Sequence, residues 1–163
     1  MRSFDSIYMK AAHLWAEASY ARRAKVGAVI IKNGQMISNG FNGTPSGFEN
    51  ECEDVVGCEC IELCPHKDCD TKVCLDCPHA ILKTKSYVLH AEANAITKCA
   101  KTSTSSEGAT LYVTLSPCIE CAKLILQAGI TRLVYEEEYR DTSGLDLLRR
   151  AGIKVEKYDP NKE

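Results

Sequence analysis

The sequence predicts an α/β domain in three layers, with helices on both faces of a central mixed five-stranded sheet. Two observations carry that expectation. Apolar residues recur in helical steps of three and four in several segments, and short apolar runs between them end at glycine, asparagine or proline. The segments run helix, two strands, an irregular stretch, then helix and strand alternately to the end, and such alternation implies a sheet covered on both faces.

Phe4, Ile7, Tyr8, Ala11, Leu14, Trp15 and Ala18 describe one face of a first helix, with Ser3 or Asp5 available as its cap. Val26 to Ile31 reads as a buried strand. Asn33-Gly34 tolerates the positive φ angles of a tight hairpin, so Met36 to Phe41 returns as the second strand. From Asn42 to about Tyr87 periodicity disappears, and such a stretch needs an external cross-link or stays mobile. A second helix is expected from Ala91 to Ala100, and a strand from Ala109 to Leu115. The third helix runs from Cys118 to Ala128 and stops at Gly129. A strand at Thr131–Tyr135, a helix at Leu145–Ala151 stopped by Gly152, and a strand at Lys154–Tyr158 complete the order. Thr142 or Ser143 is the expected cap of the last helix.

With 163 residues the chain is expected to form a single domain, 1–163, carrying an insert at about 50–87. The net charge of −2 argues against a domain that grips polynucleotide backbones, yet leaves room for a small anionic substrate. Asp5, Lys10, His13 and Glu17 interrupt the first segment, so it reads neither as a signal peptide nor as a membrane span. The expected compartment is the cytoplasm. There, the chain's ten cysteines, seven of them clustered between Cys52 and Cys77, are better suited to metal than to disulfides.

Two short runs carry the chemistry: His90-Ala91-Glu92 and Pro117-Cys118-Ile119-Glu120-Cys121, each at the mouth of an expected helix. Cysteines three apart on a helix start share a face, and the helix N-terminus favours thiolate. With His90 they make three zinc ligands, which leaves a tetrahedral ion one position for water. Glu92, two residues beyond His90, is placed to move protons between water and a departing amine. In that order the residues match the H-x-E…P-C-x-x-C signature of zinc deaminases.

The match extends further. The runs Val26–Ile30, Gly40–Gly47, Tyr87–Ile96, Tyr112–Cys118, Cys121–Ile125 and Gln127–Ile130 resemble the deoxycytidylate deaminases. That resemblance implies the cytidine-deaminase-like fold, catalytic Zn2+ on His90, Cys118 and Cys121, and Glu92 as proton shuttle. It implies hydrolytic deamination of dCMP to dUMP, which supplies dUMP for thymidylate synthesis. It also implies activation by dCTP and inhibition by dTTP, with Mg2+ accompanying the triphosphates, in a homo-hexamer. Gly40, Asn42, Gly43 and Thr44 would belong to the effector loop. Its glycines and proline suit a rigid loop with free backbone N–H groups.

Asn42 is the candidate for a sugar hydroxyl, because its amide both donates and accepts. Arg22, Arg23 and Lys25, with Tyr139 and Arg140, are candidates for phosphate, and family members place a tyrosine near it where Tyr139 stands. Ala91 and Ser116 would line the base pocket through their backbones. The insert offers Cys52, Cys58, Cys60, Cys64, Cys69, Cys74, Cys77, His66 and His79 as ligands for at least one structural zinc. Rival functions are a deaminase of free cytidine or deoxycytidine or of dCTP, a nucleic-acid-editing deaminase, and a zinc-organised interaction module without activity.

Overall fold

The computed structural model describes residues 4–58 and 80–160. In chain order the elements are α1 (Asp5–Glu17), β1 (Gly27–Lys32), β2 (Gln35–Phe41), β3 (Glu53–Cys58), β4 (Ala80–Thr84), α2 (Ala91–Cys99), β5 (Thr110–Leu115), α3 (Ile119–Gln127), β6 (Arg132–Glu137), α4 (Ser143–Arg150) and β7 (Lys154–Lys157). Five strands form one sheet in the order β2-β1-β5-β6-β7. β1 is antiparallel to both neighbours, whereas β5, β6 and β7 run parallel, so the sheet is mixed as expected. Asn33 and Gly34 turn β1 into β2 with φ of 52° and 77°.

Alternation along the strands assigns the layers. Ala28, Ile30, Leu111, Val113, Leu133 and Tyr135 face one side, where they pack with Ala91 and Ala95 of α2, Ala122 and Ile125 of α3, and Leu145 and Leu148 of α4. Val29, Ile31, Tyr112 and Val134 face the other, where Met9 and Ala12 of α1 meet them. Each fully buried large aliphatic side chain contributes about 1.5–3 kcal/mol. Among the described residues, three helices therefore seal one face and a single helix the other.

The structure corrects three local readings. The buried face of α1 is Ser6, Met9, Ala12 and Ala16, while Phe4, Ile7 and Leu14 are exposed. Small residues won because β1 approaches closely: a Cβ on Gly27 would lie 2.0 Å from the Ala12 carbonyl oxygen. The cap expected for α1 is not formed, whereas Thr142 stands at the expected cap position of α4. Ser3 lies outside the described residues, Phe4 occupies the α1 cap position, and Asp5 instead pairs with Arg132 at 2.7 Å. Thr142 caps α4 without a side-chain hydrogen bond, and the Asp141 carboxylate accepts the Ser143 N–H at 2.9 Å. The insert also contains regular structure. β3 and β4 pair antiparallel, Glu53 opposite Thr84 and Cys58 opposite Ala80, as a ribbon separate from the main sheet.

Candidate active site

Both chemistry-bearing runs lie at helix N-termini on the same face of the sheet. His90 is the N-cap residue of α2 and Cys118 that of α3, each in extended backbone conformation. Cys118 follows a strand of the main sheet directly. His90 does not: it follows an isolated bridge between Leu89 and Gly43, which ties the run to the loop after β2. Both helix starts are pressed against glycines. A Cβ on Gly40 would lie 2.2 Å from the Ala91 carbonyl oxygen, and one on Gly144 2.3 Å from that of Pro117. Only residues without a side chain allow those approaches, so the site's geometry depends on both.

His90 Nδ1 lies 3.6 Å from Cys118 Sγ and 3.4 Å from Cys121 Sγ. Tetrahedral zinc, with Zn–S about 2.3 Å and Zn–N about 2.0–2.1 Å, separates neighbouring donors by roughly 3.6–3.8 Å. The donor set therefore fits one shared ion. Among the described residues it is the only such group of three. Hydrogen bonds from the Cys121 thiol and from His90 hold the Cys118 thiol down at about 3. The same contact with Cys118 raises His90, and donating to that sulfur together with burial pushes the Cys121 thiol up. A dication entering here displaces the shared protons, because metal binding requires both sulfurs as thiolates.

Glu92 is 3% exposed in the first turn of α2. Burial pushes its carboxyl up to about 7, against its own backbone N–H and His90, which favour the charge. A group with a pKa near neutrality can both take and give a proton.

Glu92, His90 and Cys118 open onto one cavity of about 230 Å³. Ala91, Ser116, Tyr139, Asn42 and Arg23 line it as well, so five of the expected substrate contacts converge there. Lys25, Arg22 and Arg140 do not line it. The Asn42 amide is largely committed within the chain, accepting the Val26 N–H at 2.8 Å and donating to the Ala24 carbonyl at 2.8 Å. The Ser116 hydroxyl accepts the Tyr139 N–H at 2.8 Å and so fixes that residue's backbone. Gly40 lies inside β2 rather than in a loop, and the N–H groups of Asn42 and Gly43 bond to Val26 and Leu89. The free backbone donors expected of the effector run are thus reduced.

Residues missed from the sequence complete the cavity: Ala24, Val26, Val88 and Leu115 as apolar wall, and Glu53 and Thr84 from the insert. No spacing signal marks the last two. Of the structural-zinc candidates, Cys52 is buried beside β3 and Cys58 is half-buried at its end. Burial pushes the Cys52 thiol up. Cys60, Cys64, His66, Cys69, Cys74, Cys77 and His79 lie outside the described residues.

Two cysteine sulfurs and an imidazole close enough to share one ion, beside a buried carboxylate at a cavity, are the arrangement that metal-assisted hydrolases use. Comparison with known proteins narrows it. Residues 2–137 match the family model described as the cytidine and deoxycytidylate deaminase zinc-binding region. The chain is 40% identical to the deoxycytidylate deaminase of Enterobacteria phage T4, across 92% of this chain and 87% of that protein. It is 35% identical to the deoxycytidylate deaminase of Homo sapiens, across 94% of this chain and 78% of that one. The crystal structure of dCMP deaminase from the cyanophage S-TIM5 in complex with dCMP and dUMP superimposes with a TM-score of 0.77 at 40% identity, covering 97% of this chain and 99% of that chain. The chain belongs to the cytidine and deoxycytidylate deaminase family. No helix among the described residues is long and apolar enough to cross a membrane.

Proposed function

We propose that this chain is a zinc-dependent hydrolase that converts dCMP and water to dUMP and ammonia. The observation that carries the reading is the donor group His90, Cys118 and Cys121, of which His90 and Cys118 line the same cavity as buried Glu92. The likeness to a dCMP deaminase solved with dCMP and dUMP supports the choice of substrate.

His90, Cys118 and Cys121 would hold the zinc, whose Lewis acidity lowers the pKa of water toward neutrality. Glu92 takes the proton from the attacking water, delivers it to the pyrimidine ring nitrogen, and then assists protonation of the amine that leaves as ammonia. Oxygen replaces nitrogen at the ring carbon, so no oxidant or reductant is needed. Ala91, Ser116 and Leu115 wall the base. Asn42 acts mainly on its neighbours: by holding Ala24 and Val26 it shapes the rim, and one amide hydrogen remains for a sugar hydroxyl. Tyr139 and Arg23 serve the phosphate end; Lys25 does not line the cavity and retains only a long-range electrostatic role.

The same reading includes a cytoplasmic role in supplying dUMP for thymidylate synthesis. It also includes dCTP activation, dTTP inhibition with Mg2+, a homo-hexameric assembly and a structural zinc in the insert. What supports these is the resemblance of the 40–47 run and the clustering of cysteines. The test is a panel of deoxycytidine and its mono-, di- and triphosphates, with metal analysis of the same preparation. Fastest turnover of dCMP by enzyme holding at least one zinc per chain is expected; fastest turnover of deoxycytidine overturns the substrate assignment.

A further inference from the structure

Arg23 is the only lysine or arginine lining the cavity among the described residues. It is gripped at both ends. The buried Glu53 carboxylate accepts the backbone N–H groups of Arg22 and Arg23 at 3.1–3.3 Å. At the other end, Arg23 Nη1 donates to Thr84 Oγ1 at 3.0 Å. Glu53 and Thr84 face each other across the β3–β4 ribbon as direct register partners. One rung of the insert therefore sets both the backbone and the side chain of the single cation at the cavity.

The nature of the two grips matters. Thr84 is neutral, and no carboxylate lies within ion-pair distance of the Arg23 guanidinium among the described residues. Its charge is held in place without being neutralised, and most of its five N–H donors are left over. Glu53 spends its charge on backbone donors. An arginine ordered before the ligand arrives does not lose its rotamer freedom on binding, which favours the ligand. A guanidinium presented in this way matches a phosphate.

We propose that the Glu53–Thr84 rung positions Arg23 for the substrate's phosphate, making the base of the cysteine-rich insert the element that separates phosphorylated from unphosphorylated substrate. The inference rests on the nucleotide reading above. Arg23 is the ligand; Glu53 and Thr84 act through it.

The test compares kcat and KM for dCMP and for deoxycytidine in wild type, Arg23→Ala, Thr84→Ala, Thr84→Ser and Glu53→Gln. The readout is the ratio of the two kcat/KM values. Arg23→Ala should lower that preference for dCMP by roughly 10- to 100-fold, the range of a hydrogen bond to a charged group. Thr84→Ala should lower it roughly 3- to 10-fold, acting through the KM for dCMP rather than through kcat, and Thr84→Ser should restore it. Glu53→Gln should fall between wild type and Arg23→Ala. An unchanged ratio, whether nothing changes or both substrates suffer equally, overturns the proposal. Thr84→Ala removes no charge, so it reports even if Glu53→Gln does not fold. Wild-type enzyme with no preference for dCMP would strike the substrate reading itself, before any variant is compared.

Discussion

The cavity has two walls of unlike origin. One is made by the N-termini of α2 and α3, where His90, Ala91, Glu92 and Cys118 stand in two short runs on the helical side of the main sheet. The other is made by the segment before β1, the end of β2 and the β3–β4 ribbon, which contribute Arg23, Asn42, Glu53 and Thr84 one or two at a time. The first wall is backed by the larger core and by backbone-to-backbone approach at Gly40 and Gly144. The second is held by side-chain-to-backbone hydrogen bonds from Asn42 and Glu53. Chemistry needs the tight tolerance that packing supplies, because misplacement of about 1 Å can cost roughly 100-fold in rate. Recognition tolerates a wall assembled from polar contacts, each contributing modestly.

Removing metal should produce the widest gap between the walls. Chelated enzyme is expected to lose turnover to background and to expose two further thiols to titration, and zinc should restore both. Activity that survives complete metal removal would take the donor group out of the reaction. Next in size, Glu92→Gln should lower kcat by roughly 10²- to 10⁴-fold with metal content and melting temperature retained. Near-normal turnover would remove Glu92 from the proton path.

Gly144→Ala tests packing behind the first wall without touching a donor. The new Cβ meets the Pro117 and Cys118 backbone, so stability should fall by about 1–3 kcal/mol, with weaker zinc retention during dialysis. An unchanged melting temperature would mean that α4 can shift away freely. The smallest effect lies far from the cavity. Burial pushes the Glu156 carboxyl up, but Arg132 and Lys154 outweigh it, and its pKa stays below the ordinary 4.5. A carboxyl lowered in the folded state adds stability above its unfolded value and loses it as pH falls through the folded one. Glu156→Gln should therefore flatten the acid limb of melting temperature against pH, by less than about 1 kcal/mol because the group is partly exposed. Parallel curves would show that the pair contributes nothing.

The misread elements follow the same division. Apolar spacing gave the right helix for α1 but only part of its face: Tyr8, Ala11 and Trp15 pack against the core, whereas Phe4, Ile7 and Leu14 look like core until β1 is seen to demand alanine at Ala12 and Ala16. The ribbon escaped notice because β3, Glu-Asp-Val-Val-Gly-Cys, has no clean alternation, and its register slips between Val55 and Gly57. Asn42 was legible as a pocket residue, but not as one whose amide is spent on its neighbours.

By itself, the order of residues determined the mixed sheet, the helices that cover it, and the donor set with its carboxylate. The sheet and helices depend on hydrophobic period, and the two chemical runs on spacing within a single turn, all local properties of a chain. That His90 joins the cysteine pair was legible only through the order of the two runs as a signature. Only tertiary structure decided which face of α1 is buried, that Arg23 rather than Lys25 reaches the cavity, and that Glu53 and Thr84 hold it there. The face of α1 is set by close packing against Gly27, and the hold on Arg23 joins segments about thirty to sixty residues apart through a few hydrogen bonds, which leave no periodic trace along the chain.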